Sequence, residues 1–174
     1  METDKPVAEP EAAAKTGEHP YGDKGQIVGL VLFLALWASD SFVFKLTTFP
    51  ARYVPLLARL AAAALVMVAA VRLIQGGHRA VPHEAGADPH LIEDGAFARV
   101  RHPLYLGSVL FFLGLALTTL SLIGLAAFLG LFLFYNVLAA YEERWLSDKY
   151  GRAYRDYMRR VPRWLPRLRA FTKN

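Results

Sequence analysis

Two short clusters in this 174-residue chain combine side chains that bind charged small molecules. The first runs Gly95-Ala96-Phe97-Ala98-Arg99-Val100-Arg101-His102-Pro103-Leu104-Tyr105. Pro103 suits the first turn of a helix, where a missing N–H costs nothing. Arg101 and His102 then stand beside that helix's N-terminus, where free backbone N–H groups and the positive helix end favour an anion. Tyr105 projects from the same first turn. The second cluster is Glu142-Glu143. Carboxylates at the negative, C-terminal end of a helix are mildly unfavourable, so two of them invite a cationic or polyhydroxyl partner. Each cluster also has a plainer use. Arg and His before an apolar run anchor a helix at a membrane surface, and the two glutamates can pair with Arg144 or with an arginine of the preceding loop.

The elements that must position these residues are apolar helices. The chain is 55% hydrophobic and lacks cysteine. That excludes a disulfide frame, a thiolate nucleophile and a Cys-ligated metal; no metal site is expected. Residues 25–46 and 53–74 are each about as long as a bilayer's hydrocarbon core is thick. Leu104–Ala140 contains no Asp, Glu, Lys, Arg or His over 37 residues, too long for one ordinary span. Thr118, Thr119, Ser121 and Gly124 mark a turn that divides it into spans 104–120 and 122–140. The third and fourth spans then form a hairpin, which brings His102 and Tyr105 beside Glu142 and Glu143 at one membrane surface.

The expected fold class is an all-α membrane protein of about four transmembrane helices. A polar loop follows the second span, and residues 141–174 form a basic amphipathic segment. Within it, Leu146, Tyr150, Tyr154 and Tyr157 share one helical face, and Gly151 can divide the helix. The plain expectation for those tyrosines is a position at the lipid headgroups, with the arginines meeting anionic lipid. Residues 1–24, with six acids and three lysines, read as a solvated tail ahead of a single membrane domain at 25–174. Basic residues lie in that tail, the middle loop and the C-terminal segment. The positive-inside rule therefore puts both termini, the loop and the site in the cytoplasm. The net charge of +5 fits membrane orientation better than nucleic acid, and no nucleic-acid partner is expected. Asp40, alone in the outer third of the first span, is expected to meet water or Lys45.

In this order and spacing, three motifs resemble the isoprenylcysteine carboxyl methyltransferase and phospholipid methyltransferase superfamily. They are RHPLY at Arg101–Tyr105, EERWL at Glu142–Leu146 and KYGRAYRDYMRRVPRWLP at Lys149–Pro166. The resemblance implies a membrane-embedded S-adenosyl-L-methionine site without a Rossmann domain. It implies that His90, Leu91 and Ile92 through Gly95 and Phe97 wrap the cofactor. His102, Pro103 and Tyr105 would meet its methionine end, and Glu142 and Glu143 its ammonium or ribose hydroxyls. Arg101, His102, Tyr105 and Glu142 become the catalytic set. The implied acceptor is lipid-like or a small hydrophobic molecule: an isoprenylcysteine-type carboxylate, a phospholipid amine or a thiol. Two departures stand out. Gly95-Ala96-Phe97 replaces a common Gly-Pro-Tyr, and Leu138 stands where isoprenylcysteine members carry a basic residue. A nicotinamide-dependent membrane reductase of the sterol-reductase type and a non-enzymatic membrane subunit remain as other classes. Oligomeric state is not readable.

Overall fold

The computed structural model describes residues 22–80 and 91–165; the tail through residue 21, residues 81–90 with His90, and Pro166 onward lie outside them. The order is α1 (Gly22–Ala38, continued by a π-helical turn at Ser39–Phe44), a 3-10 turn at Phe49–Arg52, α2 (Leu56–Ala80), α3 (Pro103–Thr119), α4 (Leu122–Tyr150) and α5 (Arg152–Arg160). No strand occurs among the described residues. The helix at Gly22–Phe44, α2 and α4 are long and apolar enough to cross a membrane. The third expected span, α3, has 17 residues. At ~1.5 Å per residue it rises about 26 Å, just short of a ~30 Å core.

The α3–α4 turn falls where the hydroxyl-rich sequence placed it. Leu120 closes α3 in a left-handed conformation (φ 50°), and Ser121 caps α4 by accepting the Gly124 N–H at 2.9 Å. The fourth span differs from expectation. Its helix continues past Ala140 to Tyr150, because nothing from Tyr141 to Tyr150 breaks it, and Gly151 (φ 57°) then does. Glu142 and Glu143 therefore lie on a continuous helix rather than at its negative end.

Helix α2 packs most extensively on α3, while α4 contacts both α3 and α1. Small residues explain the α2–α3 approach. Ala63, Ala70 and Gly77 of α2 are buried at seven-residue intervals, as are Gly107 and Gly114 of α3. Without a hydrophobic drive between helices inside lipid, close backbone contact supplies the packing energy. A Cβ on Gly107 would stand 2.6 Å from Ile74 Cγ1 and 3.0 Å from the Ala70 carbonyl oxygen. Gly107→Leu is thus expected to cost about 1–3 kcal/mol by overpacking and to lower the midpoint of denaturant unfolding in detergent. Gly130→Ala, whose Cβ meets nothing within 4 Å, should leave that midpoint where it is.

At the far end of the bundle from the two charged clusters, Asp40 is buried and fully engaged. It accepts the Thr47 N–H at 3.0 Å and the hydroxyls of Thr47 and Ser121, both at 2.5 Å. The expected contact with water or the Lys45 side chain is replaced by this fastening. The turn after α1 is sewn to the start of α4, and Trp37 and Ser41 reinforce it by donating to Thr119 Oγ1 at 3.1 and 2.9 Å.

Candidate active site

The start of α1, the end of α2, the start of α3 and the inner part of α4 converge on one cavity of about 710 Å³. That lies within the range of small-molecule and cofactor sites. Arg101 and His102 line it from just before α3, Pro103 and Tyr105 from its first turn, and Glu142 from α4. Leu91, Ile92 and Phe97 close it from the loop. The hairpin thus brings the histidine–tyrosine pair and one glutamate to a common space.

Gly95 and Glu143 were expected at the cofactor, but neither lines the cavity. Gly95 is exposed and holds a positive φ of 61°, turning the loop so that it re-enters at Phe97. Glu143 lies behind the cavity wall in a cluster of cations. Its Oε1 is 3.0 Å from Arg101 Nη1 and 3.1 Å from His102 Nε2, and Arg163 Nη2 donates to its Oε2. The plainer use of an acid here, pairing with nearby arginines, describes Glu143 but not Glu142.

His102 is the hinge between the two acids. Its Nδ1 is 3.4 Å from Glu142 Oε2 while its Nε2 faces Glu143. An ionised carboxylate only accepts hydrogen bonds, so both ring nitrogens are satisfied together only when both carry protons. Burial alone would lower its pKa. The hydrogen bonds and charges of Glu142 and Glu143 outweigh burial and raise it above the ordinary 6.5. The Tyr105 ring lies parallel to the imidazole, 2° between planes and 5.4 Å between centroids. A group whose folded pKa is raised stabilises the fold fully below its unfolded pKa, and the contribution fades as pH climbs through the folded value. The unfolding midpoint should therefore fall as pH rises above about 6.5, and His102→Gln should flatten that slope. A slope unchanged in the variant would assign the titration to another group.

Tyr154 and Tyr157 are almost fully buried, packed with Leu91, Leu146, Tyr150 and Met158 rather than set among headgroups. Gly151 divides the expected single helical face, yet Leu146 and Tyr150 of α4 and Tyr154 and Tyr157 of α5 all line the cavity. Burial pushes both tyrosine hydroxyls well above the usual phenol range, so they remain neutral donors. Tyr157 donates to the Phe97 carbonyl at 2.7 Å, and Arg160 pairs with Glu93 at 2.7 Å. These bonds hold the loop against α5.

Sequence reasoning missed the segment after α5. The Pro162 carbonyl accepts the Arg101 N–H at 3.0 Å, and Arg163 and Trp164 both donate to Asn136 Oδ1, at 3.1 and 3.0 Å. Trp164 also packs against His102. Nothing local in Val-Pro-Arg-Trp announces this, because its partners lie on α3 and α4. Asp23, Gln26 and His78 are further cavity residues from helix ends. No group of three or more potential metal ligands occurs among the described residues.

The sequence profile of the phospholipid methyltransferase family matches residues 58–153, more than half of the chain. The protein-S-isoprenylcysteine O-methyltransferase of Schizosaccharomyces pombe is 31% identical over 87 residues, covering 49% of this chain. The chain spans only 37% of that relative's length. No solved structure matches it.

Proposed function

The chain belongs to the phospholipid methyltransferase family, and from that premise we propose that it is an integral membrane enzyme transferring a methyl group from S-adenosyl-L-methionine to a lipid-like acceptor. The observation that carries this is the charge pattern of one cavity wall. Glu142 presents a carboxylate, the Arg101 guanidinium lines the same cavity with its Nη1 held by Glu143, and Tyr105, Tyr150, Tyr154 and Tyr157 complete the lining. S-adenosyl-L-methionine carries an ammonium, a carboxylate and a sulfonium, so the residues present fit the group. It would supply an electrophilic methyl carbon.

Glu142 would bind the ammonium, and Asp23 stands nearby at the mouth. The Arg101 guanidinium and the free N–H groups at the start of α3 would take the carboxylate. Tyr105 and the tyrosines of α4 and α5 offer faces to the sulfonium and the adenine. Leu91, Ile92 and Phe97 would cover the nucleoside. Glu143 would act through others: it fixes the charge of His102 and the direction of Arg101. With both ring nitrogens committed to carboxylates, His102 holds geometry rather than abstracting protons. Catalysis would come from alignment and exclusion of water. The acceptor's hydrocarbon part would reach the site from the bilayer, and the basic end of the bundle would face the cytoplasm.

The test is transfer of labelled methyl from S-adenosyl-L-methionine into lipid-soluble product by membranes containing the protein. Expected is incorporation that falls at least tenfold with Glu142→Ala at limiting S-adenosyl-L-methionine. Folded wild-type protein that transfers nothing to total membrane lipid extract would count against the proposal.

A further inference from the structure

The turn between α1 and α2 is built inside out. Its polar groups face the bundle. Asp40 and Ser41 are buried, and Thr47 engages Asp40 and the start of α4 through its hydroxyl and its backbone. Its apolar groups face away. Val43, Phe44, Leu46, Phe49, Tyr53 and Leu57 are each at least half exposed, Tyr53 to 84%. In water such a turn would present a large hydrophobic patch. Against a bilayer it presents a matching face, with aromatic rings at the depth of the headgroups. Helix α3 is too short to lift this end clear of the lipid, rising about 26 Å against a ~30 Å core. It ends beside the turn, where Thr119 accepts from Trp37 and Ser41.

The charges the turn shows to its surroundings are all positive. From Ser41 through Ala80 the chain has no Asp or Glu. Asp40 is the only acid at this end of the bundle among the described residues, and Thr47 and Ser121 take up its carboxylate. Arg59 is turned inward and donates to the Thr118 carbonyl at 2.9 Å. Lys45 and Arg52 remain. Both are exposed, and neither side chain has a hydrogen bond or ion pair among the described residues. Lys45 holds a left-handed backbone (φ 53°), fixed by its N–H on the Asp40 carbonyl at 2.8 Å. Glycine or asparagine adopts that conformation at less cost, whereas lysine adds a cation at the tip of the turn. In a headgroup layer the counter-charges on offer are lipid phosphates.

We propose that residues 42–57 form a collar sunk in the headgroup layer of the leaflet opposite the candidate active site, where Lys45 and Arg52 hold the phosphates of anionic phospholipid. The exposed rings and aliphatic side chains enter the upper acyl region. The two cations extend from it to the phosphates, their stems lying along apolar surface. Both α1 and α2 run from this collar to the cavity, which Gly22, Asp23 and Gln26 border from α1 and Ile74 and His78 from α2. Holding the collar at one depth therefore sets the depth at which the cavity meets the other leaflet. The collar does not depend on the methyltransferase function.

Because the chain lacks cysteine, Tyr53→Cys gives one attachment point for a polarity-sensitive fluorophore. The labelled full-length protein is placed in phosphatidylcholine nanodiscs. These contain equal small fractions of either phosphatidylglycerol or phosphatidylcholine bearing a nitroxide, a short-range quencher, at the top of the acyl chain. Expected are a blue-shifted emission and quenching at least twofold stronger by the phosphatidylglycerol. Lys45→Gln with Arg52→Gln should equalise the two quenchers and keep the blue shift. Lys45→Arg with Arg52→Lys should keep the preference, and Lys45→Asn, which suits the left-handed backbone, should lower it with one charge removed. Both side chains are exposed, so every variant should unfold at the parent's denaturant midpoint. A structural role alone would move that midpoint and leave the preference. Emission like that of the dye in water, equal quenching by the two lipids in the parent, or a preference that survives the double glutamine variant overturns the collar.

Discussion

Glu143→Ala is expected to destabilise the protein by about 3–5 kcal/mol, the range for removing one partner of a buried charge cluster. The Glu143 side chain is 8% exposed and is the common counter-ion of Arg101, His102 and Arg163. Without it, three cations crowd a space that water barely enters. The damage should spread. Arg101 begins the approach to α3, Arg163 holds the segment after α5, and His102 begins the cavity wall. Denaturant titration in detergent should show the drop in midpoint, and limited proteolysis should show early cleavage after Arg160. Glu143→Gln keeps the shape but not the charge and should fall between the two. An unchanged midpoint in Glu143→Ala would mean that water replaces the carboxylate, and the cluster would lose its structural role.

The neighbouring substitution should behave in the opposite way. The Glu142 side chain is 36% exposed and meets only His102 among its ion-pair partners in the described residues. Glu142→Ala should therefore leave the unfolding midpoint within about 1 kcal/mol, as for a solvent-accessible pair. What it should lose is ligand. A hydrogen bond to a charged group is worth about 1.5–3 kcal/mol, so affinity for S-adenosylhomocysteine should fall roughly ten- to hundredfold. Calorimetry on both variants separates the two adjacent acids. Glu142 should fail to bind while folded, and Glu143 should fail to stay folded. Equal effects of the two substitutions on both readouts would remove the division of labour assigned to them.

Much of the fold was legible because lipid leaves few options. Uncharged runs of about twenty residues satisfy their own backbone in lipid as helices, and Thr118, Thr119 and Ser121 marked the densest hydroxyl cluster in a 37-residue stretch. The hairpin followed, and with it the meeting of His102 and Tyr105 with Glu142. The end of α4 was not legible. Charge begins at Glu142, but a helix carries charge freely once out of the bilayer, and only Gly151 stops it. The fates of Glu142 and Glu143 could not be separated from adjacency alone. On a helix they diverge by about 100°, and which one faces the cavity depends on how α4 is rotated against α3. Asp40 shows the same limit: its partners Thr47 and Ser121 are separated from each other by the whole of α2 and α3. Arg163 and Asn136 were illegible for that reason too, joined only once the chain after α5 folds back. The seven-residue spacing of Ala63, Ala70 and Gly77 against Gly107 and Gly114 went unread in the sequence, because α2 carries many other alanines and only burial picks out these positions.

The account turns on whether a methionine-derived nucleoside occupies the space between Arg101 and Glu142. The most direct measurement is calorimetric titration of the purified, folded wild-type protein with S-adenosylhomocysteine and, separately, with NADPH. Saturable one-site binding of S-adenosylhomocysteine with no heat from NADPH is the expected result. Saturable NADPH binding, or a protein that unfolds cooperatively yet takes up no S-adenosylhomocysteine, would contradict it.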